Sequence, residues 1–152
     1  MINRLDKISH FSLIAAMLLL FCPDAWAEGF SVLEYWGKTE PEIAKAFPEA
    51  KSEYQCLVVE NTKNWQEVSF LFEKGKLWSI CFSAKESLTE KEARERAINE
   101  LGLKLPREHE VRTPGLVAFR DMKGRIKIVN LIYKTTGSYE QINKIWIFFS
   151  YN

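Results

Sequence analysis

The chain has 152 residues, of which 47% are apolar and 27% charged, with 21 Lys and Arg against 20 Asp and Glu. This length and composition fit one globular domain and exclude a disordered tail, a collagen-like repeat and a large multidomain protein. A net charge of +1 leaves no overall attraction to nucleic acid or to an anionic membrane.

Residues 1–27 have the three parts of a cleavable secretory signal peptide. A short basic stretch precedes the uncharged residues 11–22, and alanines occupy the −3 and −1 positions of a cleavage site after Ala27. Twelve apolar residues span only about 18 Å as a helix, short of the roughly 30 Å hydrocarbon core of a bilayer. We therefore predict export, with no membrane span after cleavage. The alternatives are a retained anchor and a lipid attached to Cys22.

The first half of the predicted mature chain has the pattern of a short helix followed by three strands. Thr39 and Glu42 have the spacing of a capping box, which opens a helix. Three strand-like runs follow, at residues 53–60, 66–73 and 77–83. The link between the second and third runs contains Gly75 and is short enough for a hairpin turn.

The second half repeats these landmarks. Thr89 and Glu92 form another capping box, 50 residues after the first, and open a helix that ends near Leu101. A hairpin pattern around Gly75 recurs around Gly124, 49 residues later. Further strands are predicted at residues 125–134 and 142–151, joined by a turn at residues 135–138. The spacing predicts an internal repeat, and chance similarity of two amphipathic hairpins is the alternative.

These elements predict an α+β fold. Two helix-plus-antiparallel-hairpin units form a single domain over residues 28–152, with an antiparallel sheet and the helices packed on one face. The first unit covers about residues 33–86 and the second about residues 87–152. No linker rich in Pro, Gly or Ser separates the units, so we expect them to form one domain.

Cys56 and Cys81 remain after signal cleavage. In an oxidising compartment, an isolated pair favours a disulfide, which contributes about 3 kcal/mol by closing a loop of this length. The alternative is two buried free thiols. Each cysteine lies in a strand-like run, and sulfurs on strands that are not direct neighbours cannot meet.

Two short segments carry a family resemblance. Residues 37–43 (GKTEPEI) and residues 72–77 (FEKGKL) resemble the small periplasmic modules of the SmpA/OmlA (BamE) type, and two such units in tandem resemble the β-lactamase-inhibitor-protein fold. The resemblance covers residues 35–83 and extends more loosely over the second half. Modules of these families bind other proteins, in outer-membrane assembly or as inhibitors, and catalyse no reaction. The chain lacks the lipobox of the outer-membrane lipoproteins.

Glu108, His109 and Glu110 are the candidates for catalysis. On a strand, the two carboxylates would lie on one face about 7 Å apart, a separation that paired-carboxylate catalysis uses. The same pattern is common on solvated edge strands. After the signal, the sequence contains no His or Cys cluster with metal-ligand spacing and no phosphate-binding or dinucleotide-binding glycine motif. We therefore expect no metal and no cofactor.

Aromatic residues near the C-terminus indicate a binding surface. Residues 145–149 (IWIFF) are apolar on both faces of a predicted strand, with Trp146 and Phe148 on the same face. Two helices cover only one face of the sheet. We therefore predict that Trp146 and Phe148, together with Trp65, contribute to an aromatic surface that docks a partner. The alternative is a curled sheet that buries both faces.

Together, these features predict a secreted or periplasmic, non-enzymatic protein-binding module. It would act as an envelope-assembly accessory or as an inhibitor or immunity-type protein, and its partner would be another envelope or secreted protein. The alternative is a small periplasmic hydrolase that uses Glu108, Glu110 and His109.

Overall fold

A computed structural model describes residues 30–120, 122–134 and 141–151. Two predictions fall outside these ranges, namely the signal peptide at residues 1–27 and the turn at residues 135–138. None of the helices within these ranges combines the length and the hydropathy of a bilayer-spanning segment.

A single sheet of antiparallel strands forms the body of the described chain. In chain order the strands are β1 (Lys51–Glu53), β2 (Cys56–Glu60), β3 (Trp65–Glu73), β4 (Lys76–Leu88), β5 (Glu110–Thr113), β6 (Leu116–Phe119), β7 (Ile126–Tyr133) and β8 (Ile142–Phe149). Their order across the sheet is β1-β2-β3-β4-β8-β7-β6-β5. The first four strands form one meander, the last four form another, and the final strands of the two meanders pair at the centre.

Two α-helices pack on one side of this sheet, which we call the helix face. They are α1 (Glu40–Ala46) and α2 (Glu90–Asn99), and short 3₁₀ turns lie at Val32–Tyr35 and Arg107–His109. Both predicted capping boxes are confirmed: the backbone N–H of Thr39 donates to Glu42 at 2.8 Å, and that of Thr89 donates to Glu92 at 2.8 Å. These bonds fix where the helices begin.

The predicted α+β fold of two helix-plus-hairpin units is wrong. Strands hold 47% and helices 21% of the described residues, and one continuous eight-stranded sheet replaces the two units. Pairing of β4 with β8 carries backbone hydrogen bonds across the boundary between the halves. Edge strands β1 and β5 escaped prediction because they are short and mostly exposed, so their residues show no apolar alternation.

Core residues lie between the sheet and the helices. The helix face of the central strands contributes Ile80 and Phe82 from β4 and Ile145 and Ile147 from β8, all fully buried. From the other side, α2 buries Ala93 and Ala97, and α1 buries Ile43. Small alanine side chains let α2 approach the sheet closely.

An ion-pair network joins the start of α2 to the sheet edge. The carboxylate of Glu90 accepts hydrogen bonds from the Arg112 guanidinium at 2.7 and 2.9 Å and from the Tyr133 hydroxyl at 2.9 Å. Arg94 bridges Glu90 and Glu110, at 2.6 and 3.0 Å. The hydrogen bonds from Arg112, followed by those from Arg94 and Tyr133, lower the pKa of Glu90 to about 2.

The pKa of Glu90 makes stability depend on acid pH. Because the folded value of about 2 lies below the ordinary value of 4.5, the unfolded chain takes up the proton first, and the free energy of unfolding falls as the pH drops from about 4.5 towards 2.

We expect Glu90→Gln to remove this part of the pH dependence and to cost about 1 kcal/mol at pH 7, since solvent screens a partly exposed pair. Urea unfolding at pH 7, 4 and 3 measures both effects. The matched control is Glu108→Gln, which changes an exposed carboxylate. An unchanged pH slope in Glu90→Gln would contradict the assignment.

Two hairpin turns share one backbone geometry but differ in sequence. The β3–β4 turn consists of Lys74 and Gly75, with φ of 50° and 77°, whereas the β1–β2 turn consists of Tyr54 and Gln55, with φ of 40° and 69°. Positive φ at both positions matches the twist of the strands and favours glycine at the second position. The side chain of Tyr54 is fully exposed, so no packing offsets the strain at this turn.

We expect Gln55→Gly to stabilise the protein by about 0.5–1 kcal/mol, because glycine adopts positive φ without a Cβ clash. The reverse change in the other turn, Gly75→Ala, should destabilise by a similar amount through strain alone, since no atom lies within 4 Å of the added Cβ. Urea unfolding of both variants tests the pair. A destabilised Gln55→Gly protein would show that the Gln55 side chain contributes more than the strain costs.

Candidate functional site

The side of the sheet opposite the helices is the open face. On β8, Trp146 and Phe148 point to this face because they alternate with the buried residues Ile145, Ile147 and Phe149. Register then assigns the neighbouring residues. The centre of the open face consists of Leu71, Trp78, Ser79, Cys81, Ile128, Asn130, Trp146 and Phe148.

A β-bulge adds Trp78 to this face. Leu71 pairs with Ser79 and Phe72 pairs with Leu77, so Trp78 is an extra residue in β4. With unbroken alternation from Ile80, Trp78 would face the core. The bulge instead directs both Trp78 and Ser79 to the open face, which is a common use of bulges near functional surfaces. Sequence analysis missed Trp78 because no residue pattern marks the register shift.

Three rings form what we call the aromatic cluster: Trp78, Trp146 and Phe148. The Trp146 and Phe148 rings stack with centroids 5.0 Å apart, and the Trp78 and Phe148 rings lie 5.2 Å apart at a tilt of 55°. The Trp146 indole N–H donates to the hydroxyl of Ser79 at 3.2 Å. All three rings are half-buried. They are therefore held in place while part of each ring stays accessible.

A pair of opposite charges borders the aromatic cluster. Glu67 of β3 and Lys144 of β8 both pair with Ser83 of β4, two residues along from Cys81, so register places both charges on the open face. Glu67 raises the pKa of the Cys81 thiol and Lys144 lowers it. Burial dominates and raises the pKa of Cys81 to about 11. The thiol is therefore protonated at neutral pH and is a poor nucleophile.

Trp65 does not belong to the predicted docking surface. It is 2% exposed and lies on the helix face, where its ring is 5.2 Å from that of Phe82. The guanidinium of Arg96 covers it at 5.7 Å. Core packing therefore accounts for Trp65, and the prediction that it contacts a partner is wrong.

The predicted disulfide between Cys56 and Cys81 is not formed. Both cysteines are free thiols. Strand β3 lies between β2, which carries Cys56, and β4, which carries Cys81. Two strand spacings are about 10 Å, which exceeds the roughly 7 Å between Cα atoms that a disulfide tolerates.

The three candidates for catalysis do not share a strand face. Glu108 and His109 lie in a 3₁₀ turn, in which the His109 N–H donates to the carbonyl of Pro106 at 3.1 Å. Glu110 begins β5, and its carboxylate binds Arg94 at 3.0 Å and Arg112 at 2.7 Å. The strand geometry expected for these residues is therefore wrong. Glu110 serves the ion-pair network of α2.

A pair of adjacent substitutions distinguishes an accessible Trp146 from a core residue. We expect Ile147→Ala, on the helix face, to cost about 3 kcal/mol of unfolding free energy, and Trp146→Ala, on the open face, to cost only about 1–2 kcal/mol although it removes more atoms. Chemical denaturation of both variants measures the difference. A larger loss for Trp146→Ala would identify Trp146 as a core residue and contradict an accessible aromatic cluster.

Comparison with known proteins leaves the family open. No family model and no curated relative matches the chain. Among solved structures, a cysteine-rich secretory protein from Staphylococcus aureus is similar with a TM-score of 0.42 and 11% identity. The match covers 78% of this chain and 46% of that protein. A likeness at this level carries no argument about fold, function or location, and the resemblance to SmpA/OmlA and β-lactamase-inhibitor modules stays a prediction.

Proposed function

We propose that this protein is an exported, non-enzymatic binding module that docks another protein on its open face. The observation that carries the proposal is the aromatic cluster, in which three rings stay accessible on the side of the sheet that neither α1 nor α2 covers. Large aromatic side chains at the centre of an accessible surface are typical of binding hot spots.

The surroundings of the aromatic cluster suit a protein partner. Ile128 of β7 is half-buried beside Phe148, so the apolar surface extends onto β7 there, whereas the polar Asn130 pairs with Trp146. Glu67 and Lys144 lie at its border. An apolar centre with a charged border is the usual arrangement of a protein interface.

The aromatic cluster is organised before any partner arrives. Side-chain rotation in the cluster is restricted by three features. They are the β-bulge at Trp78, the stacking of Trp146 on Phe148 and the hydrogen bond from Trp146 to Ser79. Binding then requires little further ordering of these side chains, which lowers its entropic cost.

The predicted signal peptide supports the choice of partner. An exported chain meets other envelope or secreted proteins, so we propose one of these as the target. An assembly accessory and an inhibitor or immunity-type protein both need a docking face of this kind, and the identity of the target distinguishes them.

Site-specific photocrosslinking in intact cells tests the proposal. A photoreactive phenylalanine analogue at Phe148 should give an adduct with another exported protein, identified by mass spectrometry. The matched control places the same analogue at Ile98, which is 48% exposed on α2, and should give no such adduct. Trp78→Ala should lower the adduct yield at position 148 at least about tenfold. An adduct at Ile98 but none at Phe148 would refute docking on the open face.

A further inference from the structure

Opposite charges flank β4 at equal distances on the open face. Glu67 of β3 and Lys144 of β8 both pair in register with Ser83 of β4, one from each side. Glu67 accepts a hydrogen bond from the Ser69 hydroxyl at 2.7 Å. Within the described residues, neither charge takes part in a salt bridge.

A second row on the open face, on the other side of Cys81, has the same arrangement. Leu71 of β3 and Phe148 of β8 flank Ser79 of β4 in register. These two rows therefore have complementary side chains on the β3 and β8 sides, acid against base and aliphatic against aromatic. The row between them sets the small side chain of Ser69 against the ring of Trp146, on either side of Cys81.

This arrangement is self-complementary under a two-fold rotation. We infer that a second copy of this chain covers the open face, packed sheet against sheet. The two-fold axis lies midway between the two sheets and runs parallel to β4. Rotation about that axis exchanges the β3 side with the β8 side. Lys144 then lies opposite Glu67 of the second copy, and Phe148 lies opposite Leu71 of the second copy. Because the interface is isologous, each contact occurs twice.

The size and charge of the chain fit such a dimer. Seven strands, from β1 to β6 in sheet order, are centred on β4. They span about 34 Å, and a length of about 20 Å along the strands gives about 700 Å² per copy, close to the roughly 800 Å² per partner of a standard interface. A net charge of +1 produces little repulsion between copies.

Self-association would also compete with target binding, and this competition alone rests on the proposed function. The second copy and the target use the same face, so each excludes the other. A reversible dimer therefore shields the aromatic cluster until a target competes for it.

Sedimentation velocity of charge-reversal variants tests the dimer. The wild-type chain should sediment as a concentration-dependent dimer, and Lys144→Glu and Glu67→Lys should each weaken dimerisation at least about tenfold by placing like charges opposite each other. The double variant, Lys144→Glu with Glu67→Lys, should restore the dimer. Lys91→Glu is the matched control, because Lys91 is 85% exposed on α2 and should leave the dimer unchanged. Thermal unfolding should be similar for all variants.

Three results would overturn the inference: a monomeric wild-type chain, single variants that still dimerise like the wild type, or a double variant that stays monomeric. The proposed function fails separately. A monomer that still forms a Phe148 adduct with another protein refutes only the dimer. A dimer whose Phe148 adducts contain only this chain refutes docking of another protein and supports the dimer.

Discussion

The pairing of β4 with β8 is the interaction on which the rest of the structure depends. It joins the last strands of two meanders and turns them into one sheet. On the helix face, the pair of Ile80 with Ile147 merges the two halves into one core. On the open face, the same ladder places Phe148 and Trp146 of the second half beside Ser79 of the first. Without this pairing the two halves would not share one core, and Trp78 of β4 would not contact Phe148 of β8.

The two faces of the sheet differ because both α-helices of the described residues are short and lie on the same side. With 7 and 10 residues, α1 and α2 are about 10 and 15 Å long, and both pack on the same side of the sheet. On the opposite side, side chains of the sheet partly bury one another. The rings of Trp146 and Phe148 stack, and the Trp146 indole lies over the buried hydroxyl of Ser79. This partial cover orders the three rings and leaves part of each one accessible.

Local signals predicted local structure well. The capping boxes at Thr39 and Thr89 mark the helix starts, and Gly75 marks the turn of a tight hairpin, because each depends on residues within a few positions. The pairing of the two halves joins residues far apart in the chain, so no local pattern specified a single sheet. The assignment of tryptophans to faces shows the same limit. Alternation placed Trp146 correctly, whereas Trp78 depends on a bulge and Trp65 on the position of its strand over the core.

The edges of the sheet restrict how this protein can associate. Strand β1 is three residues long and carries Lys51 and Glu53, and β5 is four residues long and carries Glu110 and Arg112. Short, charged edges are poor templates for adding a further strand. Growth of the sheet into fibrils is therefore opposed at both ends. A chain built largely of β-structure is thereby confined to meeting its neighbours flat against the sheet rather than end to end.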